Sequence, residues 1–204
     1  MAISLSVGAA AQEMTRPLPP ARDGEAFDLR LSAGGAAAEY SQHSYRMATL
    51  EAASISGSLR WGGFVNPHLL FGYELLLGRH TDVGTPTINP VYRTEFNPRP
   101  HEGYSVVSPL GAFTELYPLD DVGLYLGASA SAGLLFLPDL ADESSGLMLG
   151  YAAELGYDLS GSGRQGLGLF LRYSHWSGFV VISEHGDELT VDEVSLGARW
   201  AFAP

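Results

Sequence analysis

Residues 122–138 read VGLYLGASASAGLLFLP, a stretch without a single charge. No uninterrupted apolar run in the chain approaches the ~18–20 residues of a membrane helix, and this is the closest. Its internal order points elsewhere. Val122, Leu124, Leu126, Ala128, Ala130, Ala132, Leu134 and Phe136 share one parity. Gly123, Tyr125, Gly127, Ser129, Ser131 and Gly133 share the other. A period of two belongs to a β-strand with two unlike faces.

The same alternation recurs near 26–38, 49–63, 68–78, 104–117, 146–159, 166–178 and 190–202. With 122–138 that predicts eight strands. In the seventh, Leu167, Leu169, Leu171 and Tyr173 oppose Gly168, Phe170, Arg172 and Ser174. The segment 104–117 is the weakest, with Ser108, Leu110, Ala112, Thr114 and Leu116 on its bulkier side. Pro109 interrupts it and calls for a bulge, since proline cannot donate to a ladder. Connections alternate in kind. Three are tight, at 65–67, 118–121 and 160–166, and four are longer, at 39–48, 79–103, 137–145 and 179–189. Short turns at one end and long loops at the other are the rhythm of an all-β, eight-stranded antiparallel up-and-down barrel.

Size decides which face points outward. An eight-stranded barrel has room inside only for side chains or one small ligand. The apolar positions assigned to one face are crowded with Leu, Phe, Tyr and Trp, with no Asp, Glu or Arg among them. The other face is mostly Gly, Ser and Ala. Small residues fit the lumen and bulky ones fit against lipid, so the barrel is read as transmembrane. A soluble lipocalin-like carrier, with its apolar face inward, is the alternative. On the small-residue face, Arg30, Arg60, Arg172 and Arg199 meet Glu74, Glu115, Glu154 and Glu193. Charges in a narrow lumen must pair. They are expected to form a salt-bridge network that plugs it, with an ion path as the competing reading. Aromatics mark two girdles: Trp61, Tyr157, Trp200 and Phe202 at the short-turn end, and Tyr104, Phe136 and Tyr173 at the other.

A net charge of −12 argues against a nucleic-acid partner, and the absence of cysteine removes disulfides, thiolate metal sites and a Cys nucleophile. No cofactor motif holds up, and no metal site is predicted. His43, His80, His101 and His185 fall in expected loops without ligand spacing. Asp139, Asp142, Glu143, Glu184, Asp187 and Glu188 make the long loops acidic, which suits solubility first and divalent cations bridging lipopolysaccharide second. Residues 1–11 end in the Ala9-x-Ala11 pattern of a signal-peptidase site, 12–25 read as a Pro-rich linker, and 26–204 as the barrel.

The last strand runs Ser195-Leu196-Gly197-Ala198-Arg199-Trp200-Ala201-Phe202. Gly197, Trp200 and Phe202 match the C-terminal assembly signal of outer-membrane barrels, followed here by Ala203 and Pro204. Together with the eight strands this resembles the small bacterial barrels of the OmpA/OmpX type. The resemblance implies the bacterial outer membrane, insertion by the barrel-assembly machinery, lipid and lipopolysaccharide neighbours, and termini in the periplasm. It implies no particular chemistry, and any surface ligand stays open.

One constellation offers chemistry. His175 and Ser177 are two apart on the seventh strand and face one way, with the parity of Tyr173. Asp192 shares the outward parity of Val194 on the last strand. A serine, a histidine to take its proton and a carboxylate to orient the ring are the parts of a hydrolase. The arrangement resembles the PagL-type lipid A deacylases, whose signature is His-x-Ser-Asn with a Glu on the last strand. That resemblance implies His175 as base, Ser177 as nucleophile and Asp192 as acid. Gly178 stands where that family has Asn, and Asp192 is one methylene shorter than Glu. A polar rim at headgroup level is the plainer reading.

Overall fold

The computed structural model describes residues 24–42, 45–82, 87–88, 103–119, 123–137, 144–161, 165–180 and 187–202. The strands are β1 (Glu25–Gln42), β2 (Tyr45–Asn66), β3 (Leu69–Asp82), β4 (Thr87–Ile88), β5 (Tyr104–Leu116), β6 (Leu124–Leu137), β7 (Ser144–Gly161), β8 (Gln165–Val180) and β9 (Asp187–Phe202). Apart from the two-residue β4, each long strand pairs antiparallel with the next, and β1 pairs with both β2 and β9. The eight long strands therefore close into a barrel, which leaves no open sheet edge. The short β4 lies against Ala48 and Thr49 of β2.

The pleat sends the two parities to opposite sides, and the bulky one faces out. Ile55, Leu171 and Leu196 are 69%, 48% and 66% exposed, whereas Arg30, Arg60 and Glu115 are at most 2% exposed. Leucines and aromatics thus form an outer belt while ionic groups fill the middle. In water this belt would be a large exposed apolar surface; in a bilayer it is the required exterior. The lipocalin-like alternative fails here, because a carrier of that kind turns its apolar face inward.

Filling the lumen needs size matching across the barrel. An ideal Cβ on Gly156 would come within 2.1 Å of the Tyr125 ring, one on Gly150 within 2.4 Å of Trp176, and one on Gly197 within 2.4 Å of Phe170. These glycines are sockets for large rings. Two apolar clusters result. Leu70, Phe113, Tyr117, Tyr125 and Phe170 lie toward the short turns. Leu76, Val106, Leu135, Met148, Trp176 and Val191 lie toward the long connections.

The structure corrects the sequence reading at several points. The register shifts between Val107 and Leu110, so a bulge does sit at Pro109. A bulge of one residue reverses the facing of everything beyond it. Ser108 is therefore fully buried rather than outward, and Tyr104 is 3% exposed rather than a girdle residue. Strands also run further than the apolar alternation suggests. The expected long loop at 39–48 is mostly ladder, with β1 reaching Gln42 and β2 starting at Tyr45. His80, expected in a loop, lies on β3 and is 2% exposed inside the barrel. His43, His101, His185, Asp139, Asp142, Glu143, Glu184 and residues 1–23 lie outside the described residues.

Candidate functional site

Two polar constellations stand out, one in the lumen and one on the outer rim. The lumenal one grows from register. Arg60 is opposite Glu74 across β2 and β3, and Glu154 is opposite Arg172 across β7 and β8. Inward parity then aims all four into the same narrow space. Arg60 Nε donates to Glu74 (2.9 Å) and its Nη1 to Glu115 (2.8 Å). Arg172 Nη1 donates to Glu74 at 2.7 Å. Arg30 Nε donates to Asp28 at 2.8 Å, and its terminal nitrogens bond Glu115 and Glu154. Arg199 Nη1 donates to Glu115 at 2.9 Å, and Arg199 Nε lies 3.3 Å from Asp158.

Four buried arginines are thus matched by Glu74, Glu115, Glu154 and Asp28, with Asp158 at the edge. Each of the three glutamates serves at least two arginines, which satisfies the several lone pairs that burial would otherwise strand. Tyr117 and Tyr125 donate to Glu115 (3.0 Å) and Glu154 (2.8 Å). The guanidinium of Arg60 lies 4.8 Å from the Phe113 ring centre and that of Arg199 lies 4.6 Å from Tyr125. Asp28, Asp158 and the two tyrosines were not singled out in the sequence. Their inward parity was the available signal.

Glu193 departs from its expected place among the arginines. It accepts from Ser54 (2.8 Å) and bonds His80 Nε2 (3.2 Å). The reason is depth: Glu193 is level with Ser174, two residues nearer the long connections than the Arg172–Ser195 pair. His80 in turn stacks on Tyr104, with ring centres 4.3 Å apart.

The rim constellation sits on the outer face of β8 and β9. His175 is directly opposite Asp192 in the ladder. His175 Nδ1 lies 2.9 Å from Asp192 Oδ1, and Tyr173 donates its hydroxyl to the same oxygen at 2.6 Å. Tyr151 on β7 stacks on the imidazole with ring centres 4.9 Å apart. The carboxylate thus holds the histidine by Nδ1, and Nε2 makes no hydrogen bond among the described residues. Ser177 shares the face but turns to Glu188 Oε1, at 3.4 Å. Two residues along a strand are ~7 Å apart, so Ser177 and His175 are not bonded in this state. Gly178 is paired to Met148 on one side and Leu189 on the other. Its backbone therefore belongs to the ladder, and the oxyanion donor that a missing Asn would leave to the backbone has no free N–H at that residue. Among the described residues no group of three or more metal-ligating side chains converges.

No protein-family model and no curated protein matches the sequence. Solved structures do match in fold. The outer-membrane protein OprG from Pseudomonas aeruginosa aligns with a TM-score of 0.52 at 9% identity, over 90% of this chain and 98% of that one. The outer-membrane protein AlkL, solved in lipid bilayers, aligns at 0.50 and 12% identity, over 100% and 98%. This chain is an eight-stranded transmembrane β-barrel of the bacterial outer-membrane type. Neisserial surface protein A also aligns, at 0.46 and 20% identity over 84% and 95%. Identities this low speak to the fold and leave the chemistry to this chain's own residues.

Proposed function

We propose that the protein is a sealed, non-enzymatic barrel of the bacterial outer membrane, structural in role or acting through surface contacts at its long-connection end. The observation that carries this reading is the lumenal network. Glu115 is fully buried while bonded to Arg30, Arg60 and Arg199. Rings at one side and an apolar cluster at the other flank the charges, which supports a closed lumen. Gly197, Trp200 and Phe202 supply the C-terminal pattern for the barrel-assembly machinery, and the outer belt takes lipid and lipopolysaccharide as neighbours. The acidic long connections carry any surface ligand. Ion flux from proteoliposomes tests the seal: release no faster than from empty vesicles supports it, and protein-dependent release overturns it.

A second reading is favoured by one specific contact, His175 Nδ1 to Asp192 at 2.9 Å with Nε2 left over. In it the rim is a serine esterase acting on an acyl ester of lipid A, with His175 as base, Ser177 as nucleophile and Asp192 as orienting acid. Ser177 would have to leave Glu188 and turn toward the ring. Mass spectra of lipid A from cells expressing the wild type or Ser177→Ala decide it. Loss of an acyl chain with the wild type alone establishes the esterase, and unchanged lipid A leaves the passive barrel.

A further inference from the structure

At the short-turn end the outer wall is hollowed on both sides of Trp61. One hollow, of about 330 Å³, is walled by Phe27, Trp61 and Phe202. The other, of about 260 Å³, is walled by Trp61, Phe71 and Tyr73 and includes Gly63. Glu25 borders both. The ladder explains the shape. Gly63 is opposite Glu25 on one side and Phe71 on the other, and Trp61 is opposite Phe27 and Tyr73. Gly63 has outward parity, and a Cβ built there meets nothing nearer than the Gly24 carbonyl at 3.8 Å. The wall is therefore missing a side chain between a carboxylate and an aromatic residue. Neighbouring strands are ~4.8 Å apart, so the gap between the Glu25 and Phe71 columns is about 10 Å wide.

Among the described outward-facing strand residues at this end, Glu25 is the only charged side chain. It forms no ion pair among the described residues. The rest of the girdle is Trp, Tyr, Phe and Leu, as an interface between lipid and water favours. A carboxylate there disfavours headgroups of net negative charge, which bring no cation to it. Bordering the same hollows as Trp61 and Phe71, it attracts a cation by charge, to which an aromatic lining adds the ring quadrupole. The medium at this level of a membrane barrel is lipid. Directly above the hollows lie Leu29, Leu59 and Leu75, which are 37%, 39% and 47% exposed and offer an apolar track for acyl chains.

We propose that these paired hollows are a binding site for a phospholipid whose headgroup carries an ammonium group. The ammonium sits over Gly63, between the Glu25 carboxylate and the rings of Trp61 and Phe71. The chains lie along Leu29 and Leu59. The site is independent of whether the rim on the opposite end is catalytic.

The test is native mass spectrometry of the full barrel, released from bilayers containing equal amounts of phosphatidylethanolamine and phosphatidylglycerol with identical acyl chains. The wild type is expected to retain the ethanolamine lipid about five-fold over the glycerol lipid, the ratio that an exposed ion pair between the ammonium and Glu25 supplies. Glu25→Gln keeps the shape and removes the charge. Gly63→Leu fills the gap where the backbone has room. Both are expected to bring retention to parity while heat-modifiable gel migration, the sign of a folded barrel, stays as in the wild type. Equal retention by the wild type, or a preference that survives Glu25→Gln, overturns the proposal.

Discussion

The lumen and the β8–β9 rim are built from the same chemical parts, carboxylates set against cationic or imidazole groups and hydroxyls, yet they differ in burial and in how many partners each carboxylate has. Inside, Glu74, Glu115 and Glu154 each meet at least two arginines, and tyrosines cover remaining oxygens. Outside, Asp192 is half exposed, holds one ring nitrogen of His175 and leaves the other unused. A dense buried network stiffens, because every group in it is costly to move. A sparse one at the surface costs little to rearrange and can take a proton or a ligand. The contrast places stability in the lumen and any chemistry at the rim.

Removing one charge from each region is the strongest way to break that contrast. Glu115→Ala leaves Arg30, Arg60 and Arg199 short of a shared partner in a dry space. It is expected to destabilise the barrel by about 3–5 kcal/mol, read as the midpoint of denaturant unfolding in lipid vesicles. The outer belt comes next. Leu171→Arg, on the row Leu155–Leu171–Leu196, is expected to cost about 2–4 kcal/mol by the same measurement. Gly156→Ala drives a methyl into the Tyr125 ring and is expected to cost about 1–3 kcal/mol through overpacking. Asp192→Asn is the smallest, within about 1 kcal/mol, because exposed pairs contribute little. An Asp192→Asn effect as large as that of Glu115→Ala would erase the distinction between the two regions.

Much of this was legible in the sequence, for a simple reason: a strand's period of two survives in any register. Leu167, Leu169, Leu171 and Tyr173 announce an outer face, and the arginines opposite them announce an inner one. Parity alone also put His175 and Asp192 on the same side. Parity is fragile at bulges, however. Pro109 signalled one, but its consequence for Ser108 and Tyr104 depends on which residue is left unpaired. Strand ends were equally hard to read. Beyond the lipid belt a strand no longer needs apolar residues, so Glu39, Arg79 and His80 have loop-like composition while remaining in the ladder. Depth was not legible at all. Which glutamate meets which arginine depends on stagger around the barrel, and that is why Glu193 belongs with His80 and Ser54 instead.

The central claim is that the bulky face meets lipid and the small-residue face encloses a sealed lumen. The three tryptophans test it with little disturbance, since Trp176 is 3% exposed inside while Trp61 and Trp200 are 58% and 45% exposed outside. The measurement is fluorescence quenching in bilayers. Trp176 is read alone in Trp61→Phe/Trp200→Phe, and the outer pair in Trp176→Phe. The account predicts that brominated lipid quenches the outer pair strongly and that neither brominated lipid nor aqueous iodide reaches Trp176. Strong iodide quenching of Trp176, or outer tryptophans sheltered from brominated lipid, would contradict it.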